Sequence, residues 1–431
     1  MMMMQKMPES LTAEEHLIVL ASRIDLESED RTRMEDILKQ DLNWPLIKRC
    51  SSHLGVSCLL YKHLSYEKYA RYVPDEAMRF LKNRYRLESM KNLRLYGRIT
   101  RILDSMNQAN IPIILLKGAF VAKWIYGDIG LRPMSDIDIL CREEDVRMVK
   151  NKLIELGYAY KKEAFFRTPF HEKVLAAQSK HLPPFTEPKA ARVEVHINIF
   201  QEHSHNPKDM ERLWEAAIPS RLNGRRFYYL SPEYQLLYLS HHLYGHIVST
   251  GIALYWFCDI HEVIKRYKDK IDWGLLWAMG DSLGAGAQAR ALFDPLITYW
   301  NTPISEKALN HSGAGTNQLR LKTITLKHFL DGDRKRKMGT LKNDVTIIKT
   351  LAKIKGAANR FKFLWGYIFP TRAFLIHRYR LKNSSMAYLY HLIHPFKICT
   401  RFFVSVFYNI AGFVKSPNSL LRCIFRFFIV R

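Results

Sequence analysis

The stretch 111–140, IPIILLKGAFVAKWIYGDIGLRPMSDIDIL, constrains the possible folds of this chain more than any other part of it. Residues 111–116 form an apolar run rich in β-branched side chains, the mark of a buried strand. Lys117 and Gly118 end it, and from 119 to 126 the apolar spacing becomes helical. The expected order is therefore strand, glycine turn, helix N-terminus, where backbone N–H groups and the helix dipole favour an anion such as a phosphate. A second short strand is expected over 134–140, with Ile137 and Ile139 on one face and Asp136 and Asp138 on the other.

Two carboxylates on one strand face repel each other, and a cation between them is the usual compensation. An Asp-x-Asp by itself is also common on exposed strands, so the neighbouring sequence has to decide. A later strand, 192–200, alternates Val193, Val195, Ile197 and Ile199 with Glu194, His196 and Asn198. With the apolar face in the core, Glu194 and His196 share the open face, and an adjacent strand would bring Glu194 to the Asp pair.

These segments carry a resemblance. LLKG, RPMSDIDIL and VEVHINIF together resemble the uncharacterised nucleotidyltransferase family of the DNA polymerase β-like nucleotidyltransferase superfamily. The similarity runs from about residue 44 to 379 and includes LSPEYQLLYLSHHLYGH and IHEVIKRYKDKIDWGLL, which resemble the family's helical second half. The chain has Lys117-Gly118-Ala119 where many superfamily members have Gly-Ser, and a longer gap to the Asp pair.

The resemblance implies a nucleotidyltransferase that moves a nucleoside monophosphate from an NTP to an acceptor hydroxyl and releases pyrophosphate. On that basis Asp136, Asp138 and Glu194 are catalytic and hold Mg²⁺ or Mn²⁺. Lys117, Gly118, Arg132 and Ser135 serve the nucleotide, with Arg132 alternatively fixing its own loop. The acceptor stays open, and the family's association with bacterial surface-polysaccharide or peptide modification is a hint only. Two other readings stay open: a catalytically inactive nucleotide- or partner-binding protein on the same fold, and an Asp-x-Asp glycosyltransferase.

The remaining sequence reads as scaffold around this core. Residues 1–110 are expected as helices, with a capping box at Thr12 and Glu15, a helix pair over 44–64 broken near Gly55, and a long helix after Pro74. An amphipathic helix over 143–156 should stop at Gly157, and 158–166 and 174–185 read as further strands of the sheet. The fold class is α+β with an α/β-type core over 111–230 and a helical domain over 231–310. His242 and His246 share a helix face within it, read as cleft-lining or core histidines because no acid lies between them as in a zinc protease. Asp259 and His261, near Trp256, are weaker candidates for the same cleft.

Residues 311–344 read as a basic linker and 345–431 as a basic, aromatic-rich helical tail. That tail supplies 15 Lys or Arg and no Asp or Glu toward a net charge of +25. It admits three readings: peripheral contact with an anionic membrane, plain helix packing, or nucleic-acid binding. Residues 402–414 fall short of the roughly 20 needed to span a bilayer. The opening MMMMQK lacks the apolar core of a signal peptide, and six scattered cysteines without C-x-x-C spacing indicate reduced thiols and no zinc module. A cytoplasmic location, at most peripheral to the inner face of the membrane, is expected.

Overall fold

The computed structural model describes residues 11–176, 181–187, 192–200, 207–249, 254–305, 308–309, 350–381 and 383–411, with only the backbone at 176, 207, 248, 249 and 401–411. The expected linker 311–344 and residues 412–431 lie outside them. By contact the chain divides into two units, 1–161 with 179–336 and 162–178 with 337–431.

The first unit opens with helices α1 (Ala13–Leu20), α2 (Ser28–Leu38), α3 (Trp44–His53), α4 (Ser57–Leu64) and α5 (Glu67–Ala70). The Thr12 side chain accepts from the Glu15 N–H while the Glu15 carboxylate accepts from the Thr12 N–H, so both halves of the capping box are made. Gly55 separates α3 from α4 with φ +73°, a left-handed conformation that suits a residue without Cβ. Pro74 caps α6 (Asp75–Gln108), a 34-residue helix that buries Leu81, Leu95, Ile99, Ile102, Leu103 and Met106 along one stripe.

A seven-stranded mixed sheet follows, of β1 (Ile114–Leu115), β2 (Asp136–Leu140), β3 (Ala159–Tyr160), β4 (Phe185–Thr186), β5 (Arg192–His196), β6 (Ile218–Leu222) and β7 (Arg225–Tyr229). Their order is β3-β4-β5-β2-β1-β7-β6. Strands β2 and β5 run parallel at the centre, β1 is antiparallel to β2, and β1 is parallel to β7. Helix α7 (Lys117–Trp124) starts directly after β1, and α8 (Val146–Glu155) follows β2 and ends before Gly157, at φ +93°.

Helix α9 (Pro169–Ala176) lies between β3 and β4 in the sequence, and α10 (Pro207–Glu215) precedes the β6–β7 hairpin. Helices α11 (Pro232–Ser249), α12 (Tyr255–Tyr267), α13 (Trp273–Ser282) and α14 (Gly286–Trp300) complete the first unit.

Two sequence expectations are corrected. Only Ala159 and Tyr160 of 158–166 are strand, and Lys162–Ala164 form a 3₁₀ turn. Val174 belongs to α9, because the Thr168 hydroxyl accepts from the His171 N–H and Pro169 supplies a preset helical φ at the start. Among the described residues of 174–185, strand pairing is confined to a bridge at His181 and to Phe185.

The second unit contains that 3₁₀ turn, α9, and three helices: α15 (Ala357–Ile368), α16 (Arg372–Tyr379) and α17 (Met386–Ala411). Helix α9 packs on α15, and α16 packs on α17. Among the described residues no helix is long and apolar enough to cross a membrane.

The N-terminal helices reach the sheet unit's later helices at Gly55. The Leu254 N–H donates to the Leu54 carbonyl at 2.9 Å, and a Cβ on Gly55 would lie inside the Tyr255 ring. Gly55→Ala is therefore expected to destabilise the protein by about 1–3 kcal/mol through overpacking and its left-handed backbone. Chemical denaturation would check this, and an unchanged midpoint would contradict the packing.

Candidate active site

The register of the two central strands builds the site. In the β2–β5 pair, Asp136 lies opposite Arg192, Asp138 opposite Glu194, and Leu140 opposite His196. With a period of two, the positions 136, 138, 192, 194 and 196 share a face, while Ile137, Ile139, Val193 and Val195 are fully buried on the other. The third acid expected from the sequence thus stands beside the second aspartate.

Strand β1 adds a cation. The Leu116 N–H donates to the Asp138 carbonyl at 3.1 Å, and the next residue, Lys117, donates from Nζ to Asp138 Oδ1 at 2.7 Å. Lys117 holds φ +45°, unusual for a residue with a side chain, so the turn into α7 stores backbone strain where the lysine meets the acid. His196 Nε2 is also bonded to Asp138 Oδ1, at 2.9 Å. Both contacts converge on one carboxylate oxygen.

Burial shapes the charges differently at each acid. It would raise Asp138, but the Lys117 ammonium and the His196 hydrogen bond hold that carboxyl well below the usual range. Burial also lowers His196, to about 4, so the ring is neutral at pH 7 and its contact with Asp138 is a hydrogen bond, with Nε2–H donating. Asp136 and Glu194 are both raised, first by burial and then by the Asp138 charge. Lys117 neutralises one of three acids, and the other two are held in excess negative charge.

These residues line a cavity of about 400 Å³ together with Gly118, Arg132, Ser135, His181, Arg192, His242, His246, Tyr255 and Trp256. Every sequence-predicted site residue is therefore at one place. Ser135 donates to Asp136 Oδ1 at 3.0 Å. Arg132 is committed elsewhere: its Nη2 pairs with Asp259 Oδ2 at 2.7 Å, its guanidinium lies over the Tyr255 ring, and its carbonyl accepts from the buried Asn92 amide. Gly118 packs so closely on that guanidinium that a Cβ would overlap Arg132 and Met134. Glycine is needed at this turn for space against the arginine.

Strand pairing and helix packing define several contributors more closely than the sequence does. His196 was placed on the correct face, but its bond to Asp138 depends on strand pairing. The α11 histidines wall the cavity, with the His246 ring 4.3 Å and the His242 ring 5.5 Å from Trp256. Arg192, paired in register with Asp136, has no motif to mark it. His261 instead meets Thr302, at 2.9 Å, outside the cavity lining.

The donor set fits a divalent cation. Asp138, Glu194 and His196 each offer one ligand atom, and these lie within 4.8 Å of one another. Carboxylate oxygens suit Mg²⁺ and Mn²⁺, and an imidazole in the set favours Mn²⁺. The buried His196 Nδ1 has no hydrogen-bond partner among the described residues. Asp136 lines the same cavity outside this closest group.

A sequence model of the family described as uncharacterised nucleotidyltransferase matches residues 40–294, more than half of the chain. No curated protein matches the chain. Among solved structures, an antigenic nucleotidyltransferase-like protein from Paracoccidioides brasiliensis is similar at 15% identity over 50% of this chain and 92% of that one. Its TM-score is 0.28, a likeness too slight to support inference.

The charges give opposite expectations for the two aspartates in the cation-free protein. Asp138→Asn strands the buried Lys117 ammonium and should cost about 3–5 kcal/mol. Asp136→Asn removes a carboxylate whose folded pKa is raised, so it should increase the melting temperature in EDTA. Because a raised carboxyl binds its proton more tightly in the folded state, parent stability falls as pH rises through that range, and Asp136→Asn should flatten the fall. Melting curves against pH check both signs, and equal destabilisation by the two variants would contradict this electrostatic account.

Proposed function

Because the chain belongs to the uncharacterised nucleotidyltransferase family, we propose that it transfers a nucleoside monophosphate from an NTP to an acceptor hydroxyl and releases pyrophosphate. The observation that carries this reading is the register of Asp138 with Glu194, beside Asp136 and next to the Lys117-Gly118 start of α7. A third carboxylate on the neighbouring strand also favours nucleotidyl transfer over Asp-x-Asp glycosyl transfer.

Asp138 and Glu194, with Asp136 and His196 nearby, would hold Mg²⁺ or Mn²⁺. When bound, such an ion supplies positive charge to the entering and leaving oxygens of an in-line displacement. His196 acts as a positioning residue, fixing the Asp138 carboxylate through Nε2–H. Glu194 accepts the proton as the acceptor oxygen forms its bond to the α-phosphorus and the bond from the α-phosphorus to the bridging oxygen breaks. Lys117 and the first turn of α7 offset charge on the departing pyrophosphate. Ser135 holds Asp136, and Arg132, locked to Asp259, fixes the loop that presents the Asp strand. Trp256, with Tyr255, offers the cavity's aromatic surface to the base.

A second reading rests on one specific contact. Lys117 sits on Asp138 at 2.7 Å, where it neutralises the central acid without a metal, as a protein that only binds nucleotide or a partner would need.

Transfer of label from α-labelled NTPs in Mg²⁺ or Mn²⁺, with cell extract as acceptor pool, separates the two. The parent should label an acceptor, Asp138→Asn should not, and Glu194→Gln should slow transfer by about 10²–10⁴-fold. Nucleotide binding without transfer from any of the four NTPs would favour the binding protein.

A further inference from the structure

The second unit carries an apolar surface that its own packing leaves uncovered among the described residues. Helix α15 buries Phe363, Gly366 and Tyr367, yet Phe361, Trp365 and Phe369 are exposed at a spacing of four, 65%, 54% and 38% accessible. Their rings form a ladder, with centroids 6.0 Å and 4.5 Å apart. Helix α17 repeats the pattern: Ala387 and His394 are buried, while Tyr388, Leu392 and Phe396 are exposed at the same spacing. Two helices of one unit each display an exposed apolar stripe on the side away from their buried residues.

The charge of this unit identifies what would cover such stripes. From residue 345 onward the sequence has 15 Lys or Arg and no Asp or Glu. Basic side chains lie beside the stripes: exposed Arg360 and Lys362 neighbour Phe361, and exposed Lys397 follows Phe396. Arg372 lies over the Tyr388 ring, its centroid 4.8 Å away. Aromatic and aliphatic side chains mixed with cations suit a surface that is apolar just beneath an anionic layer. Leu392, Leu389 and Leu364 have no stacking face for a nucleobase, so the composition favours lipid over single-stranded nucleic acid.

We infer that α15 and α17 dock this protein on the surface of an anionic phospholipid bilayer, with Phe361, Trp365, Leu392 and Phe396 entering the headgroup region and the basic side chains lying against lipid phosphates. The attachment is peripheral, since neither helix is long and apolar enough to cross. It is independent of the nucleotidyl-transfer reading.

The test is flotation of the full chain with phosphatidylcholine vesicles and with mixed phosphatidylglycerol–phosphatidylcholine vesicles. The parent should float with the mixed vesicles only, and salt should weaken the charge-dependent part. Combined Trp365→Ser, Leu392→Ser and Phe396→Ser should reduce vesicle binding by about tenfold or more, while Trp365→Phe alone should keep most of it. The substituted side chains are exposed, so an unchanged melting curve shows that the variant folds. Absence of flotation, flotation unaffected by the apolar substitutions, or retention by labelled oligonucleotides in place of vesicles would overturn the inference.

Discussion

The site depends on the parallel pairing of β2 with β5, which places Asp138 and Glu194 side by side inside the protein. Shifting either strand by one residue would turn the acids into the opposite face, now filled by Ile137, Ile139, Val193 and Val195. The apolar alternation therefore fixes the acid geometry. Burial of the carboxylates carries a desolvation cost, offset in part by Lys117, by the His196 hydrogen bond and by Ser135. A site with three acids and one close ammonium is still short of positive charge, which is the physical argument for a divalent cation.

The rest of the first unit holds that pairing in place from three directions. Asn92 of α6 donates to the Ile129 and Arg132 carbonyls, securing the loop before β2. Asp259 of α12 locks the Arg132 side chain, and Gly118 leaves the space that the guanidinium occupies. Tyr255, at the start of α12, meets both Arg132 and Gly55 of the N-terminal helices. The helical segments thus wall and brace the acid face, and the α11 histidines and Trp256 complete the cavity.

Much of this was legible in the sequence because it rests on short-range periodicity. The strand-to-helix change at Lys117-Gly118, the Asp-x-Asp alternation and Glu194 with His196 on one face all follow from residues within ten positions of one another. What escaped depends on long-range contact or on a misread local signal. No spacing rule links Arg132 to Asp259, 127 residues later, so the partner that holds this cavity-lining arginine has no sequence signal, although fixing its own loop is one of its two expected roles. Residues 169–176 carry a Thr168-Pro169 helix start, whereas the strand expected over 174–185 claims the last three of them. The β6–β7 hairpin had its own signal in Asn223-Gly224, both at positive φ, the dipeptide that favours a tight two-residue turn.

The central claim is that Asp138 and Glu194 form a cation site and not a closed ion-pair cluster. Titration of Mn²⁺ into the parent and Glu194→Gln, following free Mn²⁺ by electron paramagnetic resonance, tests it most directly. The parent should bind saturably, more weakly as pH falls because Glu194 and Asp136 must first lose protons, and Glu194→Gln should lose much of the affinity. No binding by the parent, with or without NTP, or equal binding by the variant, would contradict it.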